Sequence, residues 1–480
     1  MTSIRGKWQN MPLTVKASAA YAVCSILQRC ISFLTMPVFV RLLTTEQFGE
    51  VTLYGTWSGI LSLFLTLNLA YGSFSTAMVK FEKDRDGYIS SVQGISIYLT
   101  LVFLIVYLPL RHDLNQVFEL PTWVMLLMVA EILGVNAWTL WAGKKRFEYK
   151  WKAVVAVSLL NSLFSPLIAF FVVINIEQRG LGRIFGFAIT GIITGLILFI
   201  LNSIRGKKIL NKEYWTYALG FNIPLIAYYL SQTIFNMSDR IMISHLIGKD
   251  NAGIYGVAYT IAMILTFVLN AINNSYVPWF YGRLKAGNPE DNKAVSVAIA
   301  LLMSLLLCGI IWFAPEIILI WAGDQYEGAI YVVMPVALSV LQLFYSQLFI
   351  NVMFYYEKKK ELVWASIASA VINIGLNWIL IPKFGIVAAG YTTLASYVVF
   401  VICNYLAMKK ILRQEKSKDN MYDYKKLIII MVAFWIVSAV GAILYGFMWI
   451  RIVIAVAVLV AMIIKRNYFI DMYRKIKGNN

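Results

Sequence analysis

The sequence predicts an all-α polytopic membrane protein of about fourteen transmembrane helices in two similar halves, and three observations carry the prediction. Sixty per cent of the 480 residues are apolar and only 14% are charged, with a mean hydropathy of +0.72, whereas a soluble globule is about half apolar and about a quarter charged. Apolar stretches of 18 or more residues, long enough to cross a bilayer, recur along the whole chain. A shift of 204 positions lays Arg41-Leu42-Leu43-Thr44-Thr45-Glu46-Gln47-Phe48-Gly49 over His245-Leu246-Ile247-Gly248-Lys249-Asp250-Asn251-Ala252-Gly253. Both read as a helix ending in Leu/Ile pairs, a short acidic turn and a glycine that opens the next helix.

In order, the spans lie near residues 17–40, 51–79, 89–110, 121–142, 153–176, 184–204, 218–246, 253–277, 294–314, 329–354, 362–381, 387–408, 427–446 and 452–464, the last one short. Recurring spans of this kind do not resemble the single apolar stretch of a cleavable leader, so the first is expected to be a retained anchor. Charge sets their orientation. With the N-terminus inside, 33 of the 42 Lys and Arg fall in inner segments, and seven fall in outer loops: Arg41, Arg111, Arg179, Arg183, Lys249, Lys383 and Arg451. Cytoplasmic loops carry the excess of Lys and Arg, so both termini are expected in the cytoplasm. The net charge of +18 is thereby a topology signal rather than a nucleic-acid footprint, and no nucleic-acid partner is expected. Clusters such as Lys144-Lys145-Arg146 and Lys358-Lys359-Lys360 read as solvated inner-face anchors that meet anionic membrane lipids.

The spans differ in their polar faces. Span one has Ser18, Ser25, Arg29 and Ser32; span seven has Asn222, Tyr229, Gln232, Asn236 and Arg240; span eight has Thr266, Asn270 and Asn274; span eleven has Ser366, Ser369, Asn373 and Asn377. Helical spacing puts each set on one face. Helix-to-helix packing explains single Ser, Thr or Asn residues, while stripes that include a charge, as in spans one and seven, point to a wet internal cavity. Pro37, Pro166, Pro224 and Pro335 mark places where a helix is expected to bend.

Charges inside the membrane ask for a reason. Arg29 lies mid-span, Glu131 is central in span four, and Asp239 with Arg240 lies in the outer part of span seven. Two readings stand: a structural ion pair such as Arg29 with Glu131, or guanidinium groups that grip phosphate oxygens. Buried carboxylates hold protons tightly, so Glu131 and Asp239 are candidates for coupling transport to protons or sodium ions. Adjacent helical residues diverge by about 100 degrees, so Asp239 and Arg240 do not both face one lumen, and one braces a neighbour. His112 and His245 near the outer surface, and Cys24, Cys30, Cys308 and Cys403 within apolar runs, suggest neither metal nor disulfide. No Gly-rich loop ending in Gly-Lys-Ser/Thr is present, so ATP is not the direct energy source, and no cofactor or catalytic residue is expected.

Three stretches carry a family resemblance. They are Leu42-Leu43-Thr44-Thr45-Glu46-Gln47-Phe48-Gly49; Asp239-Arg240 followed by Gly253-Ile254-Tyr255-Gly256-Val257-Ala258-Tyr259; and the run from Asn373 to Thr393 that contains Asn377 and Pro382-Lys383-Phe384-Gly385-Ile386. Together they resemble the Wzx-type polysaccharide-unit flippases of the multidrug and oligosaccharidyl-lipid exporter superfamily. The resemblance implies two pseudo-symmetric six-helix lobes, residues 1–204 and 218–408, joined by an inner linker at 205–217 and enclosing a central cavity. Residues 409–480 add an inner loop, two further helices and a tail. It also implies alternating access in a bacterial inner membrane. The implied substrate is an undecaprenyl-diphosphate-linked oligosaccharide for a surface polymer such as O-antigen of lipopolysaccharide or capsule, with a polysaccharide polymerase and chain-length regulator as partners. On that footing Arg29 and Arg240 are candidates for the diphosphate, and Asn236, Asn270, Asn274 and Asn377, with Asp239 beside them, for the rest of the substrate. Two alternatives remain: a multidrug or organic-cation antiporter on the same fold, and a membrane polysaccharide polymerase or ligase. The shortness of every outer loop argues against an enzyme of the latter kind.

Overall fold

A computed structural model describes residues 12–358, 360–415, 417 and 420–464. Among them the chain is helical, without strands: α1 Leu13–Leu42, α2 Thr45–Thr66, α3 Phe74–Lys80, α4 Arg85–Tyr107, α5 Arg111–Phe118, α6 Thr122–Phe147, α7 Trp151–Asn175, α8 Arg179–Gly206, α9 Lys212–Ile247, α10 Lys249–Ala262, α11 Thr266–Lys285, α12 Asn292–Trp312, α13 Ala314–Trp321, α14 Ile330–Tyr355, α15 Lys360–Gln414, α16 Tyr424–Ile443 and α17 Met448–Ile464. Most expected spans fall on one helix or on a half of one, while spans two and eight are each divided between two helices. Ten helical segments of the described residues are long and apolar enough to cross a membrane, and the chain is a multi-pass membrane protein.

The turns singled out by the internal repeat are both present. Thr44 caps α2 through a reciprocal capping box with Gln47, closing the turn after α1, and Gly248 at φ +99° separates α9 from α10. Gly49 and Gly253 lie one turn inside the helices they were expected to open. Span two is not continuous: Leu67 and Asn68 both adopt left-handed backbone, and the chain resumes as α3. Asn tolerates that conformation, and the Thr66 hydroxyl accepts the Asn68 amide at 3.3 Å, so the break is held locally. Spans eleven and twelve are two parts of α15, divided at Gly385 (φ +67°, ψ −153°), a conformation open only to a residue without Cβ. The helices α1, α7, α9 and α14 continue through Pro37, Pro166, Pro224 and Pro335 without a break.

The chain divides into two compact units, Met1–Thr233 and Ile234–Asn480. In the first, α6, α7 and α8 pack through small residues. A Cβ on Gly195 would come within 2.1 Å of the Gly134 Cα, and one on Gly186 within 2.3 Å of the Ala169 Cα. Backbones approach this closely only where side chains are minimal, the common means of joining helices in lipid. At the end of α6, Lys144 pairs with Asp86 at 2.5 Å, and Lys144, Lys145 and Lys150 surround Glu148 at 2.9–3.3 Å. Lys144 and Lys145 are buried, which corrects the expectation that this cluster is merely solvated. Burial drives the Glu148 carboxyl up, but Lys150, Lys144 and Lys145 outweigh it and hold it at about 2.

In the second unit, Arg451 on α17 forms a forked ion pair with Glu316 on α13 (2.8 and 2.6 Å) and also donates to the Tyr445 carbonyl. Arg451 and Arg183, both expected in outer loops, are instead buried within helices. Arg183 lies 5.2–5.6 Å from the rings of Phe39, Phe48 and Phe187. Large apolar side chains such as Leu34, Ile105, Trp364 and Ile443 stand exposed on the helices. A bilayer, not water, is the solvent that accommodates them.

Candidate functional site

Polar residues from the end of span seven and from span eleven, Asn236, Asp239, Asn373 and Asn377, lie inside the second unit, whereas Asn222 of span seven bonds Ser73 in the first. Asp239, on α9, is buried at 1% exposure. Its Oδ2 accepts hydrogen bonds from the Tyr255 hydroxyl on α10 at 2.5 Å and the Thr393 hydroxyl on α15 at 3.0 Å. Among the described residues its Oδ1 is buried without a hydrogen bond. An unsatisfied buried carboxylate oxygen is costly, and such groups are retained where they act.

One residue earlier, the Ser238 hydroxyl donates to Asn373 Oδ1 at 3.1 Å, and Asn377 donates to the same oxygen at 3.1 Å. The Thr392 hydroxyl in turn donates to Asn377 Oδ1. Asn373 and Asn377 are fully buried, and Asn373 Nδ2 has no hydrogen-bond partner among the described residues. Asn377 therefore belongs to a buried polar seam that joins α9 at Ser238 to α15 rather than to an open surface.

Arg240 takes the other direction. Its guanidinium carbon lies 3.9 Å from the Tyr259 ring centroid, and Nη1 donates to the Asn236 carbonyl at 2.7 Å. The Asn236 side chain accepts from Tyr397 at 2.8 Å. The divergence expected of neighbours on a helix is realised: Asp239 ties α9 to α10 and α15, while the half-buried Arg240 is fixed by one ring and one carbonyl. A guanidinium held against a ring and a carbonyl has its N–H fork oriented, as bidentate phosphate binding requires. Asn270 and Asn274 are exposed on α11 and outside these bonds.

In the first unit, Glu131 on α6 lines a cavity of about 380 Å³ with residues of α2 and of the break after it. The Tyr54 hydroxyl donates to Glu131 Oε2 at 2.5 Å, and the Arg29–Glu131 ion pair is not formed. Arg29 is exposed on α1. Glu131 belongs to the first unit and the Asp239 cluster to the second.

Sequence reading did not assign Tyr54, Tyr255, Asn373, Thr392, Thr393 or Tyr397. Tyr255, Asn373 and the threonine pair lie within the motif stretches, and that membership was their signal. Tyr54 and Tyr397 carry no local pattern, because only helix packing brings them to their acceptors.

Known proteins bear on this arrangement. A family model described as polysaccharide biosynthesis protein matches residues 14–282, and the MatE model matches residues 224–379. A Haemophilus influenzae relative, "Lsg locus putative protein 1", is 23% identical over 367 residues, covering 75% of this chain and 89% of its own length. Among solved structures, the lipid II flippase MurJ in its inward closed conformation is similar, with a TM-score of 0.69 at 14% identity over 94% of this chain and 99% of that one. An inward-facing multidrug resistance MATE family transporter of the MOP superfamily gives a TM-score of 0.62 at 14% identity, over 83% and 99% of the two chains. With more than half its length matched by one family and its helices arranged in the fold of these transporters, the chain belongs to the polysaccharide biosynthesis protein family.

Proposed function

We propose that the protein is a flippase that moves undecaprenyl-diphosphate-linked oligosaccharide repeat units from the inner to the outer leaflet of a bacterial plasma membrane by alternating access. The observation that carries this reading is Arg240, whose cationic fork is oriented by Tyr259 and Asn236 while its acidic neighbour is engaged by Tyr255 and Thr393. A diphosphate is an acceptor-only, multiply charged group, and such a fork is its natural partner. Arg29, exposed on α1, is the second candidate for that headgroup. Asn236 and the exposed Asn270 and Asn274 are candidates for the glycan.

Asp239 is the candidate for ion coupling. Its Oδ1, buried without a hydrogen bond among the described residues, can take up a proton or a sodium ion, and the Tyr255 and Thr393 hydroxyls on Oδ2 would transmit that change to α10 and α15. Glu131, in an open cavity, is the weaker candidate for this role.

Deleting the protein should cause membranes to accumulate lipid-linked repeat units, with loss of surface glycan. Arg240→Ala should reproduce that accumulation at normal protein abundance, with transport lowered about tenfold or more; full glycan export by Arg240→Ala would remove the residue from the role. A second reading, an organic-cation exporter, is favoured by the MatE match over residues 224–379. It requires that overexpression raise tolerance to cationic drugs and that deletion leave lipid-linked sugars unchanged.

A further inference from the structure

The cavity around Glu131 has a chemical bias of its own. Its wall includes Glu131 and a series of hydroxyl and amide side chains, and no Lys or Arg is among its lining residues. Three of the wall's hydroxyls are already committed as donors: Ser62 to the Gly59 carbonyl, Thr66 to the Ser62 carbonyl and Thr139 to the Val135 carbonyl, at 2.7–2.8 Å. Asn136 likewise donates to Ser96 at 2.9 Å. What these groups turn outward is mainly lone pairs. Glu131, when ionised, adds an acceptor-only group. Tyr54 fixes its Oε2, and Oε1 takes no hydrogen bond among the described residues.

A wall rich in acceptors, with one negative charge, is complementary to a ligand rich in donors and repels a phosphate or a carboxylate. Sugar hydroxyls are such donors. At the cavity edge Tyr71, on the break after α2, is 69% exposed and offers a ring face to cover the C–H face of a pyranose.

We infer that this cavity is a glycan subsite selective for neutral or amino sugars over acidic ones, with Glu131 accepting from the sugar and Tyr54 as its positioning residue. The inference rests on the flippase reading and deepens it: the first unit reads the sugar by hydrogen bonds, and the diphosphate is held elsewhere, by arginine.

Saturation-transfer NMR on the detergent-purified full chain tests it, since the method detects weak binding. The probes are chitobiose, a glucuronic acid-containing disaccharide and tetraethylammonium. Chitobiose should bind about tenfold more tightly than the acidic disaccharide, the effect of one charge-assisted hydrogen bond. Glu131→Gln should abolish that preference, and Tyr71→Ala should weaken chitobiose binding. Thr139→Val, which replaces one acceptor without touching the carboxylate, provides a second variant should Glu131→Gln fail to give a single size-exclusion peak, and it too should weaken chitobiose binding. Equal binding of the two disaccharides, chitobiose binding unchanged in the Tyr71 and Thr139 variants, or Glu131-dependent binding of tetraethylammonium without sugar would each overturn it. Loss of this selectivity with lipid-linked units still accumulating in the deletion strain would remove the subsite and leave the flippase intact. Absence of that accumulation would remove the flippase reading itself.

Discussion

Single residues in this protein are set by who holds their neighbours. Asp239 and Arg240 are adjacent, yet the carboxylate is taken by Tyr255 and Thr393 and the guanidinium is stacked on Tyr259. The helix's 100-degree turn per residue makes that separation unavoidable, so it was legible from the sequence. Its partners were not, because α10 and α15 lie 16 and 154 positions away. Glu148 shows the same rule outside the spans. Three lysines depress its carboxyl from 4.5 to about 2. A folded-state value below the unfolded one contributes stability that is fully present above about pH 4.5 and is lost as pH falls through about 2. Glu148→Gln should therefore lower the thermal midpoint of the purified protein at neutral pH, and the deficit should shrink steadily from pH 4.5 downward. A deficit that is constant with pH would show that the lysine cluster does not depend on the carboxylate's charge.

At the scale of elements, glycine contact and backbone breaks decide where helices lie. The contact of Gly134 with Gly195 leaves no room for a side chain between α6 and α8. Gly195→Val should destabilise the first unit by about 1–3 kcal/mol or more, as overpacking does, read as a lower melting midpoint in detergent. An unchanged midpoint would mean that the two helices separate without loss. Gly182, Gly186, Thr190 and Thr194 recur along α8 at helical spacing, but which helix meets them is decided by packing. The break after α2 was invisible to hydropathy, because Leu67 and Leu69 keep the stretch apolar while Leu67 and Asn68 turn left-handed. That break places Asn68 and Tyr71 at the edge of the Glu131 cavity, so an irregularity in one element shapes the cavity wall.

For the whole molecule, the asymmetry of basic residues gives a direct expectation. A green fluorescent protein fused after Asn480 should fluoresce and an alkaline phosphatase at the same point should be inactive, the signature of a cytoplasmic C-terminus; active phosphatase would reverse the orientation. The order of the apolar spans, the membrane class and the family were legible in the sequence alone, because hydrophobic length, loop charge and short motifs are local quantities that a bilayer reads directly. Tertiary structure alone decided which polar groups share a bond: that Glu131 meets Tyr54 rather than Arg29, that Asn377 is sealed in a buried seam while Asn270 and Asn274 stay exposed, and that Arg183 and Arg451 are interior. The physical reason is range. In a medium without water a polar side chain must find its partner on another helix, and which helix lies opposite is set by packing between distant segments, not by the residues beside it in the chain.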